Sequence, residues 1–189
     1  MELHPTVNEF FHGAVTDALR AQDVSATEPT EFYLVNLLVE FTATQVSEEP
    51  LALKLARVRE IPTPDGKVKG LKEIGDQSLV VSGLFTDSLA RKLIDVNYYI
   101  AMGANAYQQL SSLIASRGSA AVFFRGVYEE LSGKFARFVE VLQEIRRNTS
   151  LVGGSNLLRL YEAYVTTGGD WLERRLRDAG LVLPKGPAN

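Results

Sequence analysis

The sequence predicts an all-α protein, a single-domain helical bundle of about seven to eight helices. Apolar residues recur at steps of three and four through most of the chain, which is the spacing of one helix face. Glycine, proline and helix-capping residues punctuate these stretches. The composition is 46% apolar, which is ordinary for a globular protein and argues against general disorder. We expect one domain over 1–189, with frayed ends at 1–6 and 184–189.

The first predicted helix follows Pro5, and its apolar residues keep helical spacing through Leu19. Glu9 and His12 form one E-x-x-H pattern on it. A di-iron bundle needs that pattern on two helices, and the sequence has no second copy. We therefore expect His12 to be a half-buried or surface histidine, and we predict no metal site and no cofactor.

A second predicted helix, over 31–45, is apolar almost all round and should be buried on most sides. Its polar residues form one narrow stripe, which runs from Tyr33 through Asn36 and Glu40 to Thr44. The stripe is either the thin solvent-facing edge of a central helix or the polar wall of an internal pocket. In the second case Glu40 would need a partner, because a buried carboxylate is costly without one.

A third helix should begin after the capping and acidic residues at 47–50 and end near Ile61. The residues at 62–66, which include two prolines, predict a turn. Next comes a kinked central helix pair over 71–116, with a break after Gly83.

The first half of the central pair carries a row of small residues. Gly75, Ser78 and Ser82 recur at steps of three and four, so they lie on one side of the helix and allow another helix to approach closely.

The second half of the pair has a polar stripe of Asp87, Arg91, Asp95 and Tyr98, in which Arg91 is spaced to bridge both aspartates. The stripe is either a solvated or interhelical set of ion pairs, or part of a ligand site. Residues from the two stripes, with Asp76 as a neighbour of the second stripe and Tyr99 beside Tyr98, make up the candidate ligand-binding set. The set is Asn36, Glu40, Asp76, Arg91, Asp95, Tyr98 and Tyr99.

One long helix is predicted over 119–147. Its aromatic-rich apolar residues alternate at steps of four and three, which suits packing inside a bundle or against a second helix hairpin. Gly126 and Gly133 on this helix mark a possible close crossing. The candidate interface residues are Phe124, Tyr128, Leu131, Phe135, Phe138 and Leu142. Two shorter helices are predicted over 157–167 and 171–179.

Charge and composition exclude several classes. A net charge of −3 gives no general attraction to nucleic acid. With no cysteine, disulfides and thiolate-bound zinc are impossible. No apolar run approaches the roughly 20 residues that span a bilayer. No secretory signal is evident at the N-terminus, so we expect a cytoplasmic protein.

No catalytic motif is present, so enzymatic activity is uncertain and the sequence leans against it. The first hypothesis is a cytoplasmic interaction or scaffold module that self-associates, as a homodimer, or binds another protein through apolar and aromatic helix faces. The alternative is a small-molecule-binding helical protein or enzyme with a polar pocket near Glu40 and Asp95. Convergence of the candidate polar residues in a cavity would favour the alternative. Their dispersal over the surface would favour the first hypothesis.

Overall fold

The computed structural model describes residues 7–43, 49–85, 95–115 and 121–151. These residues form seven α-helices and no strand, which confirms the all-α prediction. In chain order the helices are α1 Val7–Ala21, α2 Glu28–Ala43, α3 Leu51–Glu60, α4 Pro64–Leu84, α5 Val96–Ala115, α6 Val122–Gly133 and α7 Phe135–Leu151.

Helix α4 lies at the centre of the described bundle. It packs against α5 on one side and α7 on another, while α3 covers its first half. Every residue from 78 to 84 is buried, so this part of α4 meets neighbouring helices all round. Helices α1 and α2 pack on each other, and α1 also contacts α7. Burial of α2 is extensive, as predicted, with Leu34 and Leu38 wholly inaccessible to solvent.

Small residues set the close approach of α4 to its neighbours. A Cβ atom on Gly75 would collide with the ring of Tyr107 on α5, so that ring lies directly on the α4 backbone. In the opposite direction, a Cβ atom on Gly103 of α5 would collide with Ser78 and with Phe135. The prediction that small residues on this helix admit a close neighbour is therefore confirmed at Gly75 and Ser78.

Helix α4 begins at Pro64, so the prediction of a turn over 62–66 is wrong in its second half. Thr63 is the N-cap, and its hydroxyl oxygen accepts a hydrogen bond of 3.3 Å from the amide of Gly66. Pro64 occupies the first helical turn, where its missing N–H is not needed and its fixed φ suits the helix. The proline therefore starts a helix here.

The predicted continuous helix over 119–147 is two helices. Lys134 leaves the helical conformation, with φ −113° and ψ 20°, and separates α6 from α7. Gly133 immediately before it weakens the helix locally. The Lys134 ammonium donates hydrogen bonds of 2.8 Å to the Ser25 carbonyl and to Glu130. The break therefore coincides with a contact between Lys134 and Ser25, which are 109 residues apart in sequence.

Several predicted features lie outside the described residues. These are the break between Gly83 and the second central helix, the residues Thr44, Asp87 and Arg91, the termini at 1–6 and 184–189, and both helices predicted after residue 151. The same holds for the residues at 47 and 48 in the start predicted for the third helix.

Glu130 joins the end of α6 to the start of α2. Its carboxylate accepts hydrogen bonds from the backbone amide of Thr27 at 3.1 and 3.3 Å and from the Thr27 hydroxyl at 2.6 Å. Partial burial acts to raise the pKa of Glu130, but hydrogen bonds from Lys134, Thr27 and Thr30 outweigh it and lower the pKa to about 2. The charged carboxylate thus stabilises the folded chain.

We expect Glu130→Gln to lower the free energy of unfolding by about 1–2 kcal/mol at neutral pH. This value is smaller than the pKa shift alone implies, because solvent screens a partly exposed carboxylate. Because the folded pKa is depressed, this stabilisation is complete above pH 4.5 and is lost as the pH falls towards 2. Urea unfolding measured from pH 7 to pH 3 should therefore show that the free energies of unfolding of the variant and the wild type converge as the pH falls. Asp17→Asn, which alters only the exposed ion pair with Arg20 on α1, is the control.

Candidate functional site

Five side chains from four helices form a polar and aromatic cluster at the edge of the core. The Asp76 cluster, as we call it, consists of Lys72 and Asp76 from α4, Tyr33 from α2, Tyr107 from α5 and Tyr128 from α6. One carboxylate oxygen of Asp76 accepts hydrogen bonds from the hydroxyls of Tyr33 (2.5 Å) and Tyr107 (2.7 Å). The other accepts a 2.6 Å bond from the Lys72 ammonium.

Local sequence positions these groups. Lys72 and Asp76 are four residues apart, so they face each other along α4. Gly75 leaves the space in which the Tyr107 ring lies. The Asp76 side chain is only 14% exposed, so its charge needs partners within the protein. Two phenols and one ammonium satisfy that need.

The three tyrosine rings pack on one another around the carboxylate. Tyr107 and Tyr128 stack with ring centroids 5.7 Å apart, and Tyr33 stands edge-on to both. Such offset and edge-on arrangements are favoured by the ring quadrupoles. The Lys72 ammonium lies 5.4 Å from the centroid of the Tyr33 ring, which is within cation–π range.

Burial fixes the protonation of the cluster. It raises the pKa of Tyr107 well above the ordinary value, and the negative charge of Asp76 adds to that rise. The pKa of Tyr33 is raised well above its ordinary value too, first by burial and then by electrostatic repulsion of its anionic form by Tyr107 and Asp76. For Lys72, burial acts to lower the pKa, but Asp76 and Glu40 outweigh it and the net pKa is raised. The phenols therefore remain neutral donors and Lys72 remains charged.

We expect stability to fall steeply above pH 10. A raised folded-state pKa means that the unfolded chain loses its phenolic protons first, so stability present below pH 10 is lost as the pH rises further. Each phenol whose pKa is raised on folding lowers the free energy of unfolding by up to about 1.4 kcal/mol per pH unit in this range. Tyr107→Phe should therefore lose stability less steeply than the wild type when urea unfolding is measured above pH 10. Equal slopes for the variant and the wild type would contradict this.

The structure brings two of the predicted ligand-binding residues near each other. The Lys72 ammonium lies 2.6 Å from Asp76 and 3.9 Å from a carboxylate oxygen of Glu40. The Glu40 side chain is 68% exposed, so it faces solvent beside the cluster. Asn36, on the same stripe of α2, donates a hydrogen bond to the Phe32 carbonyl of its own helix.

Three of the other predicted ligand-binding residues, all on or next to α5, lie away from the cluster. Asp95 is exposed and accepts a 2.8 Å hydrogen bond from the Asn97 amide at the start of α5, which is the geometry of a helix cap. Tyr98 and Tyr99 pack edge-on against each other. Tyr99 precedes Tyr107 by eight residues, so the two lie about 12 Å apart along α5. Arg91 is outside the described residues.

Five of the six predicted interface residues are buried inside the single chain, and only Phe124 is exposed, at 53%. Phe135 packs against Gly103 of α5. Leu142 packs against Gly83 of α4. The same hydrophobic core contains the remaining three, Tyr128, Leu131 and Phe138. A second copy therefore has access only to Phe124 of this set unless the bundle opens.

The start of α6 is unusually apolar for a surface. Val122, Phe123 and Phe124 are 62%, 58% and 53% exposed. Consecutive helical residues point about 100° apart, so three exposed neighbours cover more than half of the helix circumference. The first turn of α6 therefore projects from the described helices instead of packing on them. Phe123 and Phe124 contact each other edge-on, with centroids 5.4 Å apart.

Comparison of the chain with family models, with curated proteins and with solved structures finds no match. Within the described ranges, no group of three or more His, Asp or Glu side chains is placed to hold a metal ion. None of the helices in that part of the chain is long and apolar enough to cross a membrane.

Proposed function

We propose that this protein is a cytoplasmic helical interaction module that self-associates, with a second copy covering the projecting first turn of α6. The observation that carries the proposal is the exposure of three consecutive large apolar residues, Val122 to Phe124. Single apolar residues are common on protein surfaces, whereas contiguous apolar patches mark interaction sites. Aromatic side chains also supply much of the binding energy in known interfaces.

The other large exposed apolar side chains do not form such a run. Phe32 lies on α2, Leu53 on α3 and Tyr98 on α5. None of the three is adjacent in sequence to a second large apolar side chain that is fully exposed. The start of α6 is therefore the strongest surface for association among the described residues.

The alternative is a small-molecule-binding protein or enzyme at the Asp76 cluster. The position of Lys72 between the carboxylates of Asp76 and Glu40 favours it, because such groups also orient ligands. Against it, both Asp76 oxygens already accept hydrogen bonds from within the chain. Asp95, the second residue expected at the pocket, caps α5 instead. The cluster fits a structural role better than an open ligand site.

Light scattering over a concentration series tests the proposal. The wild type should form a dimer, and the double variant Phe123→Ser, Phe124→Ser should associate at least roughly tenfold more weakly, because it loses two aromatic contacts. Leu53→Ser removes an equally exposed apolar side chain from α3, so it should associate as the wild type does. A wild type that stays monomeric at the highest concentration would overturn the proposal.

A further inference from the structure

We infer that the segment 157–167 of this chain, which lies outside the described residues, packs as a helix on the first two turns of α5, residues 96–102. The inference goes beyond the proposed self-association, because it concerns a contact within one chain. It is based on an apolar side of α5 that the described helices leave partly uncovered, and on the place where α7 ends.

The start of α5 has an apolar side that lacks a full partner among the described helices. Residues 96–102 are apolar or aromatic except for Asn97, yet none of them is buried. Val96 and Ile100 continue the row that is buried from Gly103 onwards, at steps of four and three. Ile100 contacts the core but is only partly buried. Because an apolar helix side is buried only where another element covers it, the first two turns have room for one more partner.

These first turns lie beside the C-terminal end of α4. Tyr107 of α5 meets α4 at Gly75. Gly103, which precedes Tyr107, meets α4 further along, at Ser78. Helix α5 is therefore antiparallel to α4, and its first residues lie beside the last residues of α4.

Helix α7 runs towards the same end of α4. Its first residue, Phe135, meets α5 at Gly103, and Leu142 packs on Gly83 near the end of α4. At a rise of about 1.5 Å per residue, Leu151 lies about 24 Å beyond the level of Gly103, and the start of α5 lies about 10 Å beyond it in the same direction. The chain therefore leaves α7 about 14 Å past the start of α5.

The segment that follows α7 has the length and the pattern to cover this side of α5. The backbone from the end of α7 to Leu157 reaches up to about 20 Å, which is enough to return to the start of α5. The sequence predicts a helix over 157–167, in which Leu158, Tyr161 and Val165 recur at steps of three and four. An amphipathic helix of this kind requires an apolar surface to cover its apolar side.

The exposed first turn of α6 is a less accessible surface for this segment. Tyr128 of α6 stacks on Tyr107 of α5. The Ser132 hydroxyl donates a 2.9 Å hydrogen bond to the Ala104 carbonyl, nearer the start of α5, so α6 is antiparallel to α5. The start of α6 therefore lies about 40 Å along the bundle from the end of α7, about twice the reach of the backbone to Leu157.

Disulfide cross-linking in the whole chain tests the contact. The chain has no cysteine, so each double-cysteine variant reports on one pair of positions. Ile100→Cys is combined in turn with Leu158→Cys, Tyr161→Cys and Val165→Cys. At least one of the three variants should form an intramolecular disulfide, seen as a faster monomer band in non-reducing electrophoresis. In the matched controls Phe123→Cys replaces Ile100→Cys, and no disulfide should form.

Hydrogen exchange provides a second measurement without cysteine. The double variant Leu158→Gln, Val165→Gln should exchange the backbone amides of residues 100–102 roughly tenfold faster than the wild type, because it weakens the cover over them. Arg159→Gln, which changes the polar side of the same predicted helix, should exchange them at the wild-type rate.

The outcomes distinguish this inference from the proposed function. Absence of a disulfide in all three Ile100→Cys variants overturns the inference, as does unchanged hydrogen exchange in the double variant. Disulfides with Phe123→Cys instead would place the segment on α6, and a covalent dimer would mean that a second copy supplies it, so each of these results also overturns the inference. A monomeric wild type overturns self-association and leaves the contact within the chain standing.

Discussion

Asp76→Ala is expected to lower the free energy of unfolding by about 3–5 kcal/mol. The substitution leaves the hydroxyls of Tyr33 and Tyr107 without their acceptor and the Lys72 ammonium without its closest anion. Tyr107 is completely buried, so no solvent reaches its hydroxyl to replace the lost bond. The penalty is the cost of desolvated, unpaired polar groups, which is larger than the net worth of the bonds themselves.

Urea unfolding monitored by circular dichroism measures this loss. Glu40→Ala is the matched control, because it removes a carboxylate on the other side of Lys72 that is 68% exposed and 3.9 Å away, and it should cost under about 1 kcal/mol. Combining Asp76→Ala with Tyr107→Phe should cost less than the sum of the single changes, since both remove the same bond. Strict additivity would show that the cluster is not a coupled network.

The sequence shows only part of the Asp76 cluster. Lys72 is not among the predicted site residues, although its spacing of four residues from Asp76 makes the two neighbours on any helix. Tyr33 and Tyr107 lie 43 and 31 residues from Asp76, and their convergence depends on how three helices pack. Periodicity within one helix contains no information on which residue of another helix it meets.

The helical fold was predictable for a different reason. The apolar positions of α2 and α4 report burial directly, because a helix face must be apolar to be buried. The helix boundaries that were predicted wrongly are those set by a contact distant in sequence or by a local cap. Pro64 starts a helix because Thr63 caps it, and α6 ends where Lys134 reaches Ser25.

Because the pattern within one helix does not identify the neighbouring helix, it also could not show that most of the predicted interface residues are buried within one chain. An apolar seam at alternating steps of four and three is equally suited to the core of one chain and to a contact between chains. The structure assigns most of this seam to the core, with Phe138 and Leu142 fully buried. The exposed apolar turn begins at Val122, outside the seam, so its exposure was not visible in the periodic pattern.

Gly103→Val is the second substitution with a large expected effect, a loss of about 2–4 kcal/mol. A Cβ atom at this position would lie 2.6 Å from the Cβ of Ser78 and would overlap the Phe135 ring. Real Cβ atoms essentially never come within 3.0 Å of another heavy atom, so α5 must move away from α4 or α7. The Ser78 Cβ is fixed to the α4 backbone and cannot turn aside, which is why repacking alone does not relieve the overlap.

Thermal and urea unfolding of matched glycine variants isolates this packing effect. Gly13→Ala on α1 has nothing within 4 Å of the new methyl group, so it should stabilise the protein by about 0.4–1 kcal/mol through the unfolded chain and helix propensity. Gly103→Ala gains the same helix propensity but meets the overlap, and it should be destabilising. If Gly103→Ala stabilised the protein as Gly13→Ala does, α4 and α5 would not be held at the separation described. The opposite signs of two identical chemical changes would establish that close packing at Gly103, and not helix propensity, fixes the position of α5.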